Sequence, residues 1–383
     1  MNKAFTDSSG ARSEHELGLN VARLLSGAWR EHPETPSPSE DDLTAIVRRL
    51  CESGAGALGW WSIRNTALAT SPSGIELQQV YRRFRLSALM HEQEIKHVFS
   101  LLRAEGIEPV LVKGWSIARS YPDRALRPYG DIDLCVRPDQ FARARAALKR
   151  LEKIDGHFVD VHAGFANIGA GGAPASFSTA RRHLCRQWDE LFDRSQLIDL
   201  DEEKIRILGA EDHLRILCLH FLRSGAWRPP WLCDVALALE TRVKDFNWDV
   251  CLGRDRRQAD WVGCTLGLAN RLLGADCSHT PVEKSARHLP RWLAPAVLAQ
   301  WGRDRDPSER AMALPVLFVK ATSYRKLISE ICTRWDNPVR ATIRLRGRFN
   351  DWPRWPYRLG ELFLRCPEVP RQVATMMRLI FVL

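Results

Sequence analysis

At 383 residues, with 45% hydrophobic and 27% charged side chains, the chain has material for two or three packed units, which excludes a peptide or a disulfide-stapled miniprotein. No apolar run approaches the eighteen or so residues that span a bilayer, so no membrane crossing is expected. Lys and Arg number 56 against 46 Asp and Glu, a basic balance that favours an anionic partner such as a nucleotide, RNA or acidic lipid, or that simply aids solubility.

Residues 1–41 read as a polar segment. The start lacks the apolar stretch of a secretion signal, and residues 31–42 combine prolines with acidic side chains, the make-up of a linker. A cytoplasmic location is therefore expected. The ten cysteines show no C-x-x-C pair and no Cys/His grouping at zinc spacing, which fits reduced, buried small hydrophobes. The fourteen tryptophans sit mostly among apolar neighbours and read as core. Residues 42–61 turn helical. A longer amphipathic helix is predicted over 76–104, where Leu77, Val80, Phe84, Ala88, His91, Ile95, Val98 and Leu102 recur at steps of three and four.

The period then shortens to two. Residues 109–114 form an apolar run closed by Gly114, residues 131–136 alternate acidic with apolar, and residues 158–162 alternate again, which predicts three strands. Between the second and third lies an Ala- and Arg-rich stretch opening at Pro138 and Asp139, a helix start. Together these define a small α/β unit over residues 85–165, preceded by a helical segment at 42–84. Gly169, Gly171 and Gly172 do not open a helix in the G-x-G-x-x-G arrangement and read as a surface loop. Helical patterning dominates from 181 to about 325, clearest at 211–223 and 231–243, so a mainly helical domain is expected over 166–330. Residues 331–383 form a basic segment rich in Trp and Pro.

The chemistry concentrates in three places: Lys113, Gly114 and Ser116; the run from Arg127 to Asp131 and Asp133; and Asp160 with His162. Side chains two apart on a strand share a face, so Asp131 and Asp133 project together. Adjacent carboxylates repel unless a cation lies between them, and hard divalent ions prefer such oxygen ligands. If the strand of Asp160 neighbours that of Asp133, a third carboxylate reaches the same place, and three can hold two metal ions about 3.5 to 4 Å apart for an in-line phosphoryl displacement. Gly114 and Ser116 at a strand-to-helix turn can offer N–H groups and a hydroxyl to phosphate, with Lys113 or Arg127 adding positive charge.

Lys113-Gly114, then Arg127-Pro-Tyr-Gly-Asp-Ile-Asp-Leu134, then Val159-Asp-Val-His162 resembles the polymerase-beta-type nucleotidyltransferase superfamily, particularly its uncharacterised bacterial branch. Leu208-Gly-Ala-Glu-Asp-His-Leu214, Leu217-Cys-Leu-His220 and Trp231-Leu-Cys-Asp234 are similar to the helical region that follows the core in that branch. The resemblance covers about residues 90–245. It implies a mixed α+β fold in which a small polymerase-beta-like core is flanked by N-terminal helices and a mainly helical C-terminal domain. It also implies transfer of a nucleoside monophosphate from an NTP such as ATP to a hydroxyl or phosphate of an acceptor, with pyrophosphate leaving. Asp131, Asp133 and Asp160 would then be catalytic and bind two Mg²⁺ ions, or Mn²⁺, with Asp160 helping to activate the acceptor hydroxyl. Lys113, Gly114, Ser116 and Arg127 would hold the nucleotide. Trp115 interrupts the superfamily's usual Gly-Ser or Gly-Gly pair. The branch's association with peptide natural products and surface polysaccharides implies a small-molecule or peptide acceptor over RNA.

The remaining polar residues have structural readings beside functional ones. His162 either orients Asp160, touches substrate or packs as a hydrogen-bonded histidine. His213 and His220 lie too far apart for an i, i+4 zinc pair, and Asp234 reads as a helix cap or ion-pair partner. Arg340, Arg344, Arg346 and Arg348 read as a solvated helix face or as a peripheral contact with RNA, membrane phosphates or a protein. A glycosyltransferase does not require the Gly114 turn or Asp160, and a dehalogenase-type phosphatase needs an apolar strand where Arg127 and Pro128 stand. The rival from outside enzymology is a non-catalytic nucleotide- or partner-binding module on the same fold.

Overall fold

The computed structural model of the chain describes residues 12–33, 38–155, 159–165, 177–304 and 337–365. In chain order its helices are α1 (Glu14–Leu25), α2 (Glu40–Ser53), α3 (Gly56–Ile63), α4 (Pro72–Ala104), α5 (Trp115–Ala118), α6 (Phe141–Asp155), α7 (Phe177–Asp193), α8 (Ala210–Arg223), α9 (Pro229–Glu240), α10 (Trp248–Leu252), α11 (Arg256–Leu273), α12 (Glu283–Arg287), α13 (Leu293–Gly302), α14 (Pro338–Arg344) and α15 (Trp355–Arg365). The strands are β1 (Val110–Leu111), β2 (Ile132–Val136), β3 (Val159–Ala163), β4 (Gln196–Leu200) and β5 (Glu203–Ile207). The protein is a mixed α+β fold.

The strands form one sheet in the order β3-β2-β1-β5-β4. β2 runs parallel to β3 and antiparallel to β1, while β1 runs parallel to β5 and β5 antiparallel to β4. Alternation sorts the two faces. Ile132, Leu134, Val136, Leu200, Ile205 and Ile207 pack with the inner faces of α4 and α6, through residues such as Val98, Leu102, Ala144 and Leu148. Val110, Val112 and Cys135 face the other way, onto Phe165, which follows β3, and onto Trp188, Leu191 and Ile216 from α7 and α8. Covered on both sides, β2 is buried along its whole length, so an aspartate in it must find a partner.

The hairpin β4–β5 stands where helical patterning suggested a helix, and it extends the sheet of the α/β unit to residue 207. Its turn is Asp201 and Glu202, with Asp201 in the left-handed region at φ 53°. The inward Ile198, Leu200, Ile205 and Ile207 alternate with Leu197, Asp199, Lys204 and Arg206, a signal only five residues long per strand and lacking the Asn-Gly or Asp-Gly turn that marks a hairpin.

A second core gathers the N-terminal helices with the C-terminal ones: Leu24, Leu25, Leu43, Ile46 and Leu58 share it with Leu214, Phe221, Leu232, Leu266, Val297 and Val339. The polar first segment thus contains a core element. Ser13 opens α1 by accepting a hydrogen bond from the Glu16 N–H while Glu16 reaches back to the Ser13 N–H. Ser39 and Ser71 cap α2 and α4, the latter followed by Pro72 at the first helical position. α1 and α13 cross so closely that a Cβ on Gly18 would lie 1.9 Å from the Leu298 carbonyl oxygen. Only glycine fits there. Among the described residues no helix is long and apolar enough to cross a membrane.

Candidate active site

The parallel register sets Asp133 opposite Asp160 and Cys135 opposite His162. Paired residues on neighbouring strands point to one face, so Asp133, Asp160 and His162 converge on the face that also carries Cys135. His162 Nε2 lies 3.4 Å from Asp133 Oδ1 and 3.4 Å from Asp160 Oδ2. One ligand atom from each of the three falls within 4.8 Å of the others. Cis ligands held at about 2.1 Å from one ion are spaced by about 3.0 to 3.4 Å, the spacing of His162 Nε2 from each carboxylate, so the three side chains could hold a divalent cation.

The fourth member is Lys113, whose Nζ lies 3.0 Å from the same Asp133 Oδ1. It is brought there by a turn after β1. The Val112 N–H donates to the Asp133 carbonyl, prolonging the ladder by one residue. Then Lys113 at φ 59° and Gly114 at φ 47° bend the chain into α5. Gly114 is needed for that angle, since nothing crowds a Cβ there closer than 3.7 Å. Side-chain exposure rises outward from 9% at Asp133 and 16% at His162 to 60% at Asp160 on the edge strand, so solvent reaches the group from the β3 side.

Burial pushes the Asp133 carboxyl up, but the hydrogen bond from His162 and the Lys113 ammonium outweigh it and hold the group below the usual carboxylate range. Asp131, at the entry to β2, behaves oppositely. Partial burial and repulsion by Asp133 raise its carboxyl, against the pull of Lys113 and Arg127. Asp131 is outside the three-residue group but within electrostatic reach of Asp133 and Asp160.

Ser116 and Arg127 have other partners. The Ser116 N–H and hydroxyl both donate to the Lys113 carbonyl, at 2.9 and 2.7 Å, and Oγ lies 3.2 Å from His213 Nε2. Burial, with Arg119 and Arg127 nearby, pushes His213 down to about 3, so the ring is neutral. Arg127 is buried against Asp234, with Nη2 2.9 Å and Nε 3.0 Å from Oδ2, and Tyr121 donates to Asp234 Oδ1 at 2.9 Å. Trp115 is turned away from the group into the core under α4, where its Nε1 donates to Glu92, which also pairs with Arg124. His220 meets Trp231 edge-on at 4.5 Å.

A cleft of about 350 Å³ opens between α6 and β3, lined by Asp160 together with Phe141, Arg145 and Lys149. In the C-terminal segment Arg344 pairs with Glu361 at 2.6 Å and Arg346 with Asp255 at 3.7 Å, while Trp352 and Trp355 are exposed.

Of the residues singled out in the sequence, the fold thus brings Lys113, Asp133 and Asp160 together, places Asp131 beside them, and ties Ser116 and Arg127 into the interior. His162 is the member whose place sequence reasoning left open. Its signal was the alternation of β3, which puts it on the face of Asp160. Residues 39–154 match the model of a family described as uncharacterised nucleotidyltransferase. The match supports placing this part of the chain in the nucleotidyltransferase superfamily; it includes Lys113 through Asp133 and ends before Asp160 and His162. No curated protein and no solved structure matches the chain.

Proposed function

We propose that the protein is a metal-dependent nucleotidyltransferase that moves a nucleoside monophosphate from an NTP to a hydroxyl or phosphate of a small-molecule or peptide acceptor. The observation that carries this reading is the pairing of Asp133 with Asp160 across parallel strands, both 3.4 Å from one imidazole nitrogen, with Asp133 inside the segment that matches the nucleotidyltransferase family and Asp160 shortly beyond its end. In the reaction an acceptor oxygen forms a bond to the α-phosphorus, the bond from that phosphorus to the β-bridging oxygen breaks, and pyrophosphate leaves. Bound Mg²⁺ or Mn²⁺, two ions in the full form of the reading, supplies charge neutralisation and alignment of the attacking and leaving oxygens.

Asp133 and Asp160 hold the cation with His162, and Asp131 joins from the entry of β2. Asp160 is the most exposed of them, so it meets the acceptor and receives its proton. Lys113 and Gly114 meet the triphosphate. Ser116 and Arg127 serve indirectly, Ser116 by pinning the Lys113 carbonyl and Arg127 by anchoring the run that leads to Asp131. The cleft beside Asp160, with Arg145 and Lys149 on its wall, suits an acceptor bearing negative charge.

The test is incubation with each α-labelled NTP and cell extract, comparing the wild type with Asp133→Asn and Asp160→Asn. Label transfer that survives both changes overturns the assignment. One observation supports a second reading as a non-catalytic binding module: Lys113 and His162 already compensate Asp133, so the carboxylates do not require a metal for stability. Calorimetry separates a partner-binding module, which has no place for metal-dependent NTP binding, and the labelling separates a nucleotide-binding one, which binds NTP without transferring the label.

A further inference from the structure

Asp133 Oδ1 has two claimants. Lys113 Nζ lies 3.0 Å from it, and it is also the Asp133 oxygen that lies 3.4 Å from His162 Nε2 in the group that could hold a cation. An ammonium and a divalent ion cannot share one carboxylate oxygen at contact distance without strong repulsion, since each positive charge raises the energy of the other in a poorly screened site. Lys113 and Asp133 are both largely buried, with side chains 11% and 9% exposed, so water does little to weaken that conflict.

The backbone and the side-chain tip of Lys113 are held very differently. The preceding Val112 N–H is bonded to the Asp133 carbonyl, and the Lys113 carbonyl accepts from both the N–H and the hydroxyl of Ser116. The main chain is therefore fixed in its left-handed turn, at φ 59°. The ammonium is held by its ion pair with Asp133, at the end of a flexible four-carbon stem. Gly114, next along the turn, has no atom closer than 3.7 Å to where a Cβ would stand, which leaves room on that side of the backbone.

We infer that Lys113 is a displaceable counter-ion: it holds Asp133 until a divalent cation takes the shared oxygen, and the released ammonium then turns to the triphosphate that arrives with the cation. This rests on the functional reading above and adds a coupling to it. Metal and nucleotide each relieve the conflict that the other meets alone, so each tightens the binding of the other by the same factor. Lys113 acts here as a positioning residue, opposing the metal without nucleotide and favouring it with nucleotide. A merely structural lysine would not reverse sign in this way.

The experiment titrates Mn²⁺ into the full chain and follows loss of the free-ion signal by electron paramagnetic resonance, with and without an α,β-methylene NTP analogue, after subtracting the loss that the analogue causes without protein. It compares the wild type with Lys113→Met and Lys113→Arg. Replacing Lys113 with another non-glycine residue leaves the backbone strain unchanged. Lys113→Met is expected to bind Mn²⁺ about ten-fold tighter than the wild type without nucleotide, and to lose the tightening that nucleotide gives. Lys113→Arg keeps the charge and is expected to behave as the wild type. Should Lys113→Met fail to fold, Lys113→Gln keeps a hydrogen bond to Asp133 without the charge and carries the same expectation. Mn²⁺ affinity in the uncharged variants equal to or weaker than wild type overturns the counter-ion role while leaving the metal site intact. Absence of Mn²⁺ binding in every variant, with or without nucleotide, overturns the metal reading as well.

Discussion

Two sets of charged and polar side chains begin in the same stretch of sequence, Lys113 beside Ser116 and Arg127 just before Asp133, and end in opposite situations. Lys113, Asp133, His162 and Asp160 have chiefly one another, on a face that opens to solvent at the edge strand. Arg127, Tyr121 and Asp234, like Ser116 and His213, are closed on themselves in the interior between the sheet unit and the helical body. Both sets satisfy their charges. The difference is that in the first set the same oxygen serves several donors and one end of the group remains accessible, so a ligand can substitute for an internal partner. In the second set a ligand could enter only by breaking the core. A polar residue near a catalytic motif is thus assigned by whether its partner is replaceable rather than by its nearness.

The largest expected effect tests the open set. Asp133→Asn and Asp160→Asn should each lower nucleotide transfer by about a thousand-fold with the fold retained, the scale of losing a group that acts on developing charge. Asp131→Asn should lose less, because Asp131 stands outside the three-residue group. Equal losses at all three positions, measured as initial rates at saturating metal, would move Asp131 into the group.

The closed set should respond in stability instead. Asp234→Ala leaves the Arg127 guanidinium buried without its carboxylate, at a cost of about 3 to 5 kcal/mol, read as a drop in the urea midpoint at constant slope. Replacing both partners by apolar residues of similar volume should recover most of it, since the paired charges offset each other and a packed apolar pair does the same. A loss of nucleotide affinity without loss of stability would return Arg127 to the nucleotide.

The carboxylate strands were legible in the sequence because acidic side chains at alternate positions of an otherwise apolar strand are costly unless they share a ligand or a counter-charge, and the register of β2 against β3 brings them to one face. The long α4 was legible from its period, with Ser71 and Pro72 moving its start ahead of the patterned stretch. The partners of Arg127 and Ser116 were not. Asp234 and His213 lie about a hundred residues away, and a guanidinium carries no local mark of whether it will meet a carboxylate or a phosphate. The hairpin β4–β5 and the core role of α1 were also hidden, the first by short strands without a turn signature, the second because the apolar face of one short helix is diluted by its polar flanks.

Acid should separate the sets further. Burial pushes His213 and His220 down to about 3, with the positive charge of Arg119 and of Lys113 respectively adding to the effect. Unfolded histidine titrates near 6.5. Between those values the unfolded chain binds protons that the folded one refuses, so this stability is fully present above about 6.5 and is lost as pH falls toward 3. The limiting slope is about 1.4 kcal/mol per pH unit for each ring. Denaturation midpoints compared at neutral and mildly acidic pH should show the decline, and His213→Asn should flatten it. An unchanged slope in that variant would mean that His213 is protonated in the folded protein.

The smallest expected effect concerns Trp115, which breaks the Gly-Ser pair usual in the superfamily and so could be read as an obstacle to phosphate. Its ring lies instead in the core beneath α4, with Nε1 on Glu92. Glu92 keeps Arg124 as a partner if the indole is removed. Trp115→Phe therefore loses one hydrogen bond and some packing, about 1 kcal/mol, with KM for the NTP unchanged. On the proposed reading the phosphate side of the turn belongs to Lys113 and Gly114, whose left-handed angles throw the next side chain inward. A bulky residue is thus compatible with the motif at this position because the turn exposes backbone on one side and buries the side chain on the other. A shift in KM with stability held constant would show that the indole reaches the nucleotide after all.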